Sequence, residues 1–262
     1  MILLGIDSRG VARLTVDNQP KLNVVGAALL DDFTRQLEHL GADDTLRAVI
    51  VTGAGSKAFI GGADIREMSR LDEKSARAYI TSLHRVCQGL RNLPFPAIAR
   101  ISGYALGAGL EIAAACDLRI ASTTARFGMP EVKVGIPSVI EAALLPGLIG
   151  LGRTRRMLFT GEIHSAQDAE AWGLVDMLAA PARLDKVVES TVASILKTGP
   201  NAIRIQKKLI RAWEDLPVGA AIEAGIDAFQ EAYLTDEPRR MMQDFLNRPR
   251  QAKSGIPKHG NR

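Results

Sequence analysis

Short apolar runs alternate with longer amphipathic stretches over most of this chain. The apolar runs predict β-strands at residues 2–7, 11–16, 48–52, 97–101 and 118–121. Between them, apolar residues recur at helical spacing over 29–40 and again over 73–93, where Pro94 and Pro96 end the second helix. Strands that alternate with helices in this way predict an α/β fold.

The pattern changes after Gly199 and Pro200, where predicted strands cease. Residues 201–213, 218–233 and 236–246 are all predicted to be helices. We therefore divide the chain into a core over residues 1–200, a helical region over 201–246 and a basic segment over 247–262. The last segment has no apolar periodicity, and we expect it to be a mobile tail.

A glycine-rich loop leads from a strand into a helix at two places. The two loops are residues 53–62 and residues 102–107. The backbone N–H groups of a first helical turn lack helical acceptors, so each junction is a candidate anion site. The second helix is apolar on every side except for Glu111, and a buried carboxylate is costly unless it is paired, protonated or near water. From this stretch alone, Glu111 is equally well explained as a structural acid that favours the positive end of the helix.

Other polar residues have local explanations. Glu131 follows Pro130, and taken alone it is expected to be a surface turn residue. Ser138 and Glu141 have the spacing of a capping box at a helix start, and so do Ser165 and Asp168. If Glu111 and Glu131 instead faced one water molecule, one could take its proton while the other delivered a proton.

Composition and charge exclude several classes of function. Hydrophobic residues make up 47% of the 262 residues, enough for a sizeable core. The pI of about 9.2 comes largely from five basic residues after position 244, without which the net charge is close to neutral. No nucleic-acid-binding face is expected, and no membrane segment or signal peptide. The two cysteines are expected to be reduced core residues, so the protein is predicted to be soluble and cytoplasmic.

Four motifs occur in order along the chain: KAFIGGADIREM at 57–68, GYALGAGLEIAAACD at 103–117, FGMPEVKVGIP at 127–137 and LFTGEIHSAQDAEAWGLVD at 158–176. In sequence and spacing they resemble the crotonase, or enoyl-CoA hydratase/isomerase, superfamily from about Val11 to Phe245. The resemblance implies a spiral of ββα units with a C-terminal helical oligomerisation region. It also implies an acyl-CoA thioester substrate, no separate cofactor because CoA is part of the substrate, no metal, and a homotrimer or homohexamer.

The resemblance also implies roles for particular residues. The N–H groups of Ala63 and Ala108 match the oxyanion hole, although many hydratases have glycine at the second position. Glu111 and Glu131 match the two acids that hold and activate water. The residues matched to substrate and CoA binding are Lys21, Leu22, Ala63, Asp64, Ile65, Arg66, Leu106, Gly107, Pro130 and Gly135.

Both acids being present favours an enoyl-CoA hydratase, which adds water to a trans-2-enoyl-CoA. The alternatives are another crotonase-type reaction, such as isomerisation, dehydration or thioester hydrolysis, and a non-catalytic acyl-CoA-binding protein. Glu141 leaves this choice open, because it stands where the family often has a glycine-rich stretch and it would place a third acid near the site. A basic stripe on one predicted helix face is a possible CoA phosphate contact, with at most one member taking part: Arg204, Lys207, Lys208 and Arg211.

Overall fold

The structure is a computed structural model that describes residues 1–247. The predicted basic tail falls outside the described residues except for Asn247. The strands are β1 (Ile2–Ile6), β2 (Val11–Val16), β3 (Ala48–Gly53), β4 (Ala58–Ile60), β5 (Ala97–Ile101), β6 (Tyr104–Leu106), β7 (Leu118–Ser122), β8 (Arg126–Gly128), β9 (Ile163–Ser165) and β10 (Met177–Ala179).

The helices follow the apolar periodicity of the sequence closely. They are α1 (Ala27–Gly41), α2 (Ile65–Met68), α3 (Glu73–Asn92), α4 (Ala108–Ala115), α5 (Leu145–Ile149), α6 (Leu151–Thr160), α7 (Ala166–Trp172), α8 (Leu184–Leu196), α9 (Pro200–Asp215), α10 (Val218–Ala232) and α11 (Glu237–Leu246). Short 3-10 helices lie at Gln19–Lys21, Glu131–Val134, Ile140–Leu144 and Pro181–Arg183. Among residues 1–247, every helix is too short or too polar to cross a lipid bilayer.

Two sheets are built by strands that alternate along the chain. The six-stranded sheet has the order β1-β2-β3-β5-β7-β10, and the four-stranded sheet has the order β4-β6-β8-β9. All neighbouring pairs are parallel except β1 with β2 and β8 with β9. The successive pairs β3 and β4, β5 and β6, and β7 and β8 each contribute one strand to each sheet, which is a spiral of repeated units. The predicted α/β class is confirmed.

Both faces of the inner strands β3, β5 and β7 are buried, as is usual for parallel strands. On one face, Leu14 and Val49 join the main core with α1, α3 and α4. On the other face, Ile50 and Ile98 pack against α8. Adjacent residues on β3 therefore point into different clusters, which fixes the register of that strand.

Two short strands lie inside segments that the sequence predicts as glycine-rich loops. The predicted loop over residues 53–62 contains β4, and the turn before α4 contains β6. The prediction of loops was wrong here because each strand has only three residues and pairs with a distant one: Ala58 lies opposite Tyr104. The capping box at Ser165 and Asp168 is present at the start of α7.

The C-terminal helices α9, α10 and α11 leave much of their apolar surface uncovered. In α10 no residue is buried. The apolar residues exposed on α10 and α11 are Val218, Ile222, Ile226, Phe229, Met241, Met242, Phe245 and Leu246. The division at residue 200 and the role of this region in oligomerisation stay predictions.

Candidate functional site

A cavity of about 220 Å³ opens where the two glycine-rich junctions meet the segment after β8. Several predicted site residues line it together: Ala63, Ile65, Leu106, Gly107, Pro130 and Glu131. Sequence reasoning missed other lining residues: Gly61, Gly62, Met68, Lys133, Val134 and Ile136. Three of these lie in or just after the 3-10 helix Glu131–Val134, a turn whose side-chain directions the local sequence does not reveal.

The two candidate oxyanion donors each lie shortly after one of the parallel strands β4 and β6. Ala63 follows β4 and forms a bridge with Val25, and Ala108 is the first residue of α4. Within residues 1–247, neither the Ala63 N–H nor the Ala108 N–H donates a hydrogen bond to another group of the protein. Ala63 lines the cavity, and Ala108 directly follows Gly107, which also lines it. Free amides beside a helix N-terminus can stabilise a negative oxygen.

Glycines allow the two junctions to approach each other closely. Gly107 has a φ of 50°, a left-handed value that favours glycine. A Cβ on Gly109 would overlap the carbonyl oxygen of Ile60, so α4 lies against β4 at backbone distance. The glycines of this stretch therefore fix the distance between the two junctions.

Glu111 lies in the first turn of α4 and is 4% exposed. Its Oε1 accepts a hydrogen bond of 3.3 Å from the Ala142 N–H. Burial, followed by the charge of Glu131, raises the pKa of Glu111 from 4.5 to about 8; Glu141 adds to this rise, and the Ala142 hydrogen bond opposes it. The environment of Glu111 therefore favours its protonated form.

Glu131 begins the 3-10 helix Glu131–Val134 and reaches the cavity. Its Oε2 accepts a hydrogen bond of 2.8 Å from the Ser138 hydroxyl. Burial raises the pKa of Glu131, and the bond from Ser138 limits the rise. The structure thus brings together the two predicted acids, which the chain separates by twenty positions, in a site that favours one shared negative charge.

The capping-box interpretation of Ser138 and Glu141 is wrong. The 3-10 helix Ile140–Leu144 is preceded by Val139, with no side-chain cap, and Ser138 donates to Glu131 instead. Ile140 adopts a left-handed φ of 42°, after which Glu141 lies buried. Glu141 Oε1 lies 2.9 Å from Nδ1 of His84, a contact across 57 positions of sequence.

The predicted CoA-contact residues form a polar group around the start of α2. Asp64 caps α2 by accepting a hydrogen bond of 3.0 Å from the Arg66 N–H, and Lys21 lies 3.2 Å from its other carboxylate oxygen. The Lys21 side chain is the main cause that lowers the pKa of Asp64. The carbonyl of Leu22 accepts a bond of 2.9 Å from the N–H of Gly61, which lines the cavity. Lys21 and Leu22 therefore adjoin the cavity beside Asp64.

The remaining two predicted contacts, Arg66 and Gly135, are both exposed but lie in different elements. Arg66 is exposed on α2. Gly135 ends the 3-10 helix that begins at Glu131, with a φ of 82°.

The proposed basic stripe on α9 is not one free face. Lys207 is buried, and its ammonium donates to the carbonyls of Leu90 and Phe95 and to Asp117, which lies 2.7 Å away. Arg204 donates to the carbonyls of Asp44 and Leu46. These bonds hold two of the four members of the stripe against the core, which agrees with the expectation that at most one member contacts a phosphate.

The other two members of the stripe form ion pairs. Lys208 pairs with Glu231 and Arg211 with Glu214, both at 3.3 Å. Both predicted core cysteines are free and buried. Within residues 1–247, no cluster of three or more His, Cys, Asp or Glu side chains is placed to hold a metal ion.

Comparison with known proteins finds relatives over nearly the whole chain. The family model described as enoyl-CoA hydratase/isomerase matches residues 7–253. A short-chain-enoyl-CoA hydratase of Clostridium acetobutylicum is 32% identical over 93% of this chain and 94% of its own length. A crotonyl-CoA hydratase of Syntrophomonas wolfei is 32% identical over 88% of this chain and 90% of its own. The crystal structure of an enoyl-CoA hydratase of Mycobacterium smegmatis superposes with a TM-score of 0.92 at 28% identity, covering 96% of this chain and 98% of that one.

Proposed function

This chain belongs to the enoyl-CoA hydratase/isomerase family, and we propose that it adds water to a trans-2-enoyl-CoA to give a 3-hydroxyacyl-CoA. The observation that carries the proposal is the pair of acids formed by Glu111, which is buried, and Glu131, which is half-buried. Glu111 and Glu131 lie close enough for the charge of one to raise the pKa of the other. An isomerase needs one acid to move a proton, whereas water addition uses both a base and an acid.

The protonation of the pair suits this reaction. One carboxylate takes a proton from water while the water oxygen forms a bond to C3 of the substrate. The electron pair of the double bond moves toward the thioester oxygen, and C2 then takes a proton from the other carboxyl. The elements of one water molecule are added, and the pair ends with the same number of protons. In the free protein, Glu111 holds the proton at neutral pH because its pKa is raised to about 8.

The Ala63 and Ala108 N–H groups complete the proposed mechanism. The thioester oxygen gains negative charge in the transition state, and two fixed amides in a buried site stabilise that charge without reorganising. Loss of one such donor typically costs ~10²–10³-fold in rate. Lys21, Leu22, Asp64 and Arg66 are proposed to contact the CoA part of the substrate at the mouth of the cavity.

The proposal extends to the state of the protein. We expect a cytoplasmic homotrimer or homohexamer that needs no separate cofactor, since CoA arrives as part of the substrate. The uncovered apolar residues of α10 and α11 support the assembly.

Product analysis tests the function directly. The purified protein is incubated with 2-enoyl-, 3-enoyl-, 3-hydroxyacyl- and saturated acyl-CoA thioesters, and the products are identified by mass spectrometry. A gain of one water mass with the 2-enoyl substrates is the expected result. Conversion of the 3-enoyl to the 2-enoyl thioester without hydration would indicate an isomerase, and release of free CoA a hydrolase. Tight binding without turnover of any substrate would indicate a binding protein and contradict the proposal.

A further inference from the structure

Glu141 is a buried acid that the proposed reaction does not use. It is 7% exposed, and its Oε1 lies 2.9 Å from Nδ1 of His84. Within residues 1–247, its Oε2 has no hydrogen-bond partner. An unsatisfied buried acceptor costs about 1–3 kcal/mol, more when it is charged. An apolar or amide side chain would fill this position at a lower cost, so packing does not explain the acid.

The backbone beside Glu141 is also unusual. Ile140 is a β-branched residue with a left-handed φ of 42°, a conformation that costs on the order of 1–3 kcal/mol and persists only where the surroundings hold it. This conformation turns Glu141 inward toward α3, where His84 lies. The contact between His84 and Glu141 is therefore one of the interactions that hold the turn in place.

The same turn supplies a hydrogen bond to Glu111. Ala142 directly follows Glu141, and its N–H is 3.3 Å from Oε1 of Glu111 and 2.9 Å from the carbonyl of Val139. The 3-10 helix Ile140–Leu144 packs against both α3 and α4. A shift of Glu141 would move Ala142 with it, because the two residues share a peptide bond.

We propose that Glu141, anchored by His84, is a positioning residue that holds the turn over residues 139–144 against Glu111 and places its own negative charge beside that carboxyl. What Glu111 does in the reaction rests on the proposed function. The placement of Glu141 and its effect on the protonation of Glu111 do not depend on it.

The charges around Glu141 fit this role. His84 on α3 contacts Glu141. Cys87, also on α3, stays neutral because burial, together with the charges of Glu141 and Glu111, raises the pKa of its thiol. His84 and Glu141 also line a second, outer cavity of about 240 Å³. Arg91, Arg211 and Asp215 line this outer cavity as well.

The cationic groups in that outer cavity have other partners. Arg91 and Arg211 both pair with Glu214, which leaves His84 as the basic group bonded to Glu141 among the described residues.

The charge of Glu141 also acts on Glu111. It adds to the rise in the pKa of Glu111, after the larger contributions of burial and of Glu131. A neutral side chain at position 141 that still accepts the bond from His84 should therefore leave the fold intact and lower the pKa of Glu111. A residue that serves only the fold would not have this effect.

An infrared titration measures this without any turnover. The protonated carboxyl band of Glu111 is identified as the band lost in Glu111→Gln, and its titration is followed in the wild type, Glu141→Gln and Glu131→Gln. The band should titrate at lower pH in Glu141→Gln than in the wild type, and at still lower pH in Glu131→Gln. Glu170→Gln, which removes an exposed acid from α7, is the control and should leave the titration unchanged. If Glu141→Gln titrates like the wild type, the proposal is overturned, whatever substrate the protein uses.

Kinetics provides a second measurement that does not require a substitution of Glu141. His84 is 43% exposed, so His84→Leu should fold, lose the anchor of the turn and lower kcat at least ~10-fold with KM unchanged. His84→Asn keeps an N–H donor near the position of Nδ1 and should recover part of that loss. Equal kcat in His84→Leu and the wild type would overturn the anchoring role.

Discussion

The Oε1 atom of Glu131 lies directly against the backbone of Gly107, in the space that a Cβ on residue 107 would fill. Gly107, which precedes α4, and Glu131, which follows β8, are therefore in contact at the cavity. This contact places the Glu131 carboxylate beside the first turn of α4, which carries Glu111.

Gly107→Ala should therefore damage the site more than the fold. The new methyl group would displace the Glu131 carboxylate, and the left-handed φ of 50° adds backbone strain. Misplacement of a reacting group by about 1 Å can cost ~10²-fold, so kcat/KM for crotonyl-CoA should fall by about that factor. Gly152→Ala is the matched control, since nothing lies within 4 Å of a Cβ there. Equal losses in the two variants would show that the contact with Glu131 has no role.

Glu131→Gln tests the acid itself. The amide retains the size of the side chain and a partner for Ser138 but cannot take or give a proton at neutral pH. Loss of a general acid or base typically costs ~10²–10⁴-fold, so hydration should fall by that amount while CoA-thioester binding, measured by calorimetry, stays within about a factor of three. Glu38→Gln, at an exposed position on α1, should leave both unchanged. Hydration of crotonyl-CoA by Glu131→Gln at the wild-type rate would show that the assigned role is wrong.

The pH dependence of stability follows from Glu111. Its folded-state pKa is raised above the ordinary 4.5 to about 8, so the folded protein binds a proton more tightly than the unfolded chain. Stability from this group is complete below about pH 4.5 and is lost as the pH rises through 8. Glu111→Gln mimics the protonated acid. The free energy of unfolding of this variant, relative to that of the wild type, should therefore increase between about pH 4.5 and pH 8, by a total on the order of a few kcal/mol.

Urea unfolding near the two ends of this interval measures the effect. Glu170→Gln is the control, because its exposed acid should change stability equally at both pH values. A Glu111→Gln difference that is also independent of pH would mean that Glu111 titrates normally in the folded protein.

Local periodicity predicted the long elements of this fold and drew attention to Glu111, and the family resemblance added Glu131, but neither predicted the contacts that arrange them. The helix Glu73–Asn92 was readable because its apolar residues repeat every turn. The contact between Glu141 and His84 could not be predicted. Ser-x-x-Glu is the local pattern of a capping box, and His84 lies 57 positions away in the chain. The burial of Lys207 could not be predicted for the same reason, because its partner Asp117 lies 90 positions earlier in the chain.

Lys207 is expected to stabilise the fold rather than bind substrate. Lys207→Met leaves the carbonyls of Leu90 and Phe95 and the carboxylate of Asp117 without their donor. Breaking a buried pair costs about 3–5 kcal/mol, and about 2–3 kcal/mol is expected here because a third of the Asp117 side chain is exposed. Lys208→Met, at the next position, should change the free energy of unfolding by less than about 0.5 kcal/mol. A raised KM for the CoA substrate in Lys207→Met, with stability unchanged, would instead restore the phosphate-contact hypothesis.

The uncovered face of α10 predicts assembly. Ile222, Ile226 and Phe229 are 60%, 58% and 69% exposed, and they lie on one side of the helix at a spacing of three to four residues. Monomeric proteins rarely expose contiguous apolar patches of this kind, so we expect these side chains to be buried between copies of the chain. A cyclic trimer would use one such surface three times.

Sedimentation equilibrium at micromolar concentration should therefore give a mass of three or six chains of 28.2 kDa. Phe229→Asp places a charge on this face and should shift the equilibrium toward the monomer, because a buried unpaired carboxylate costs several kcal/mol. Phe229→Leu keeps the position apolar and should remain assembled, which separates loss of apolar contact from loss of the aromatic ring. A wild-type chain that sediments as a stable, active monomer would refute the interface and the oligomerisation role of the C-terminal helices.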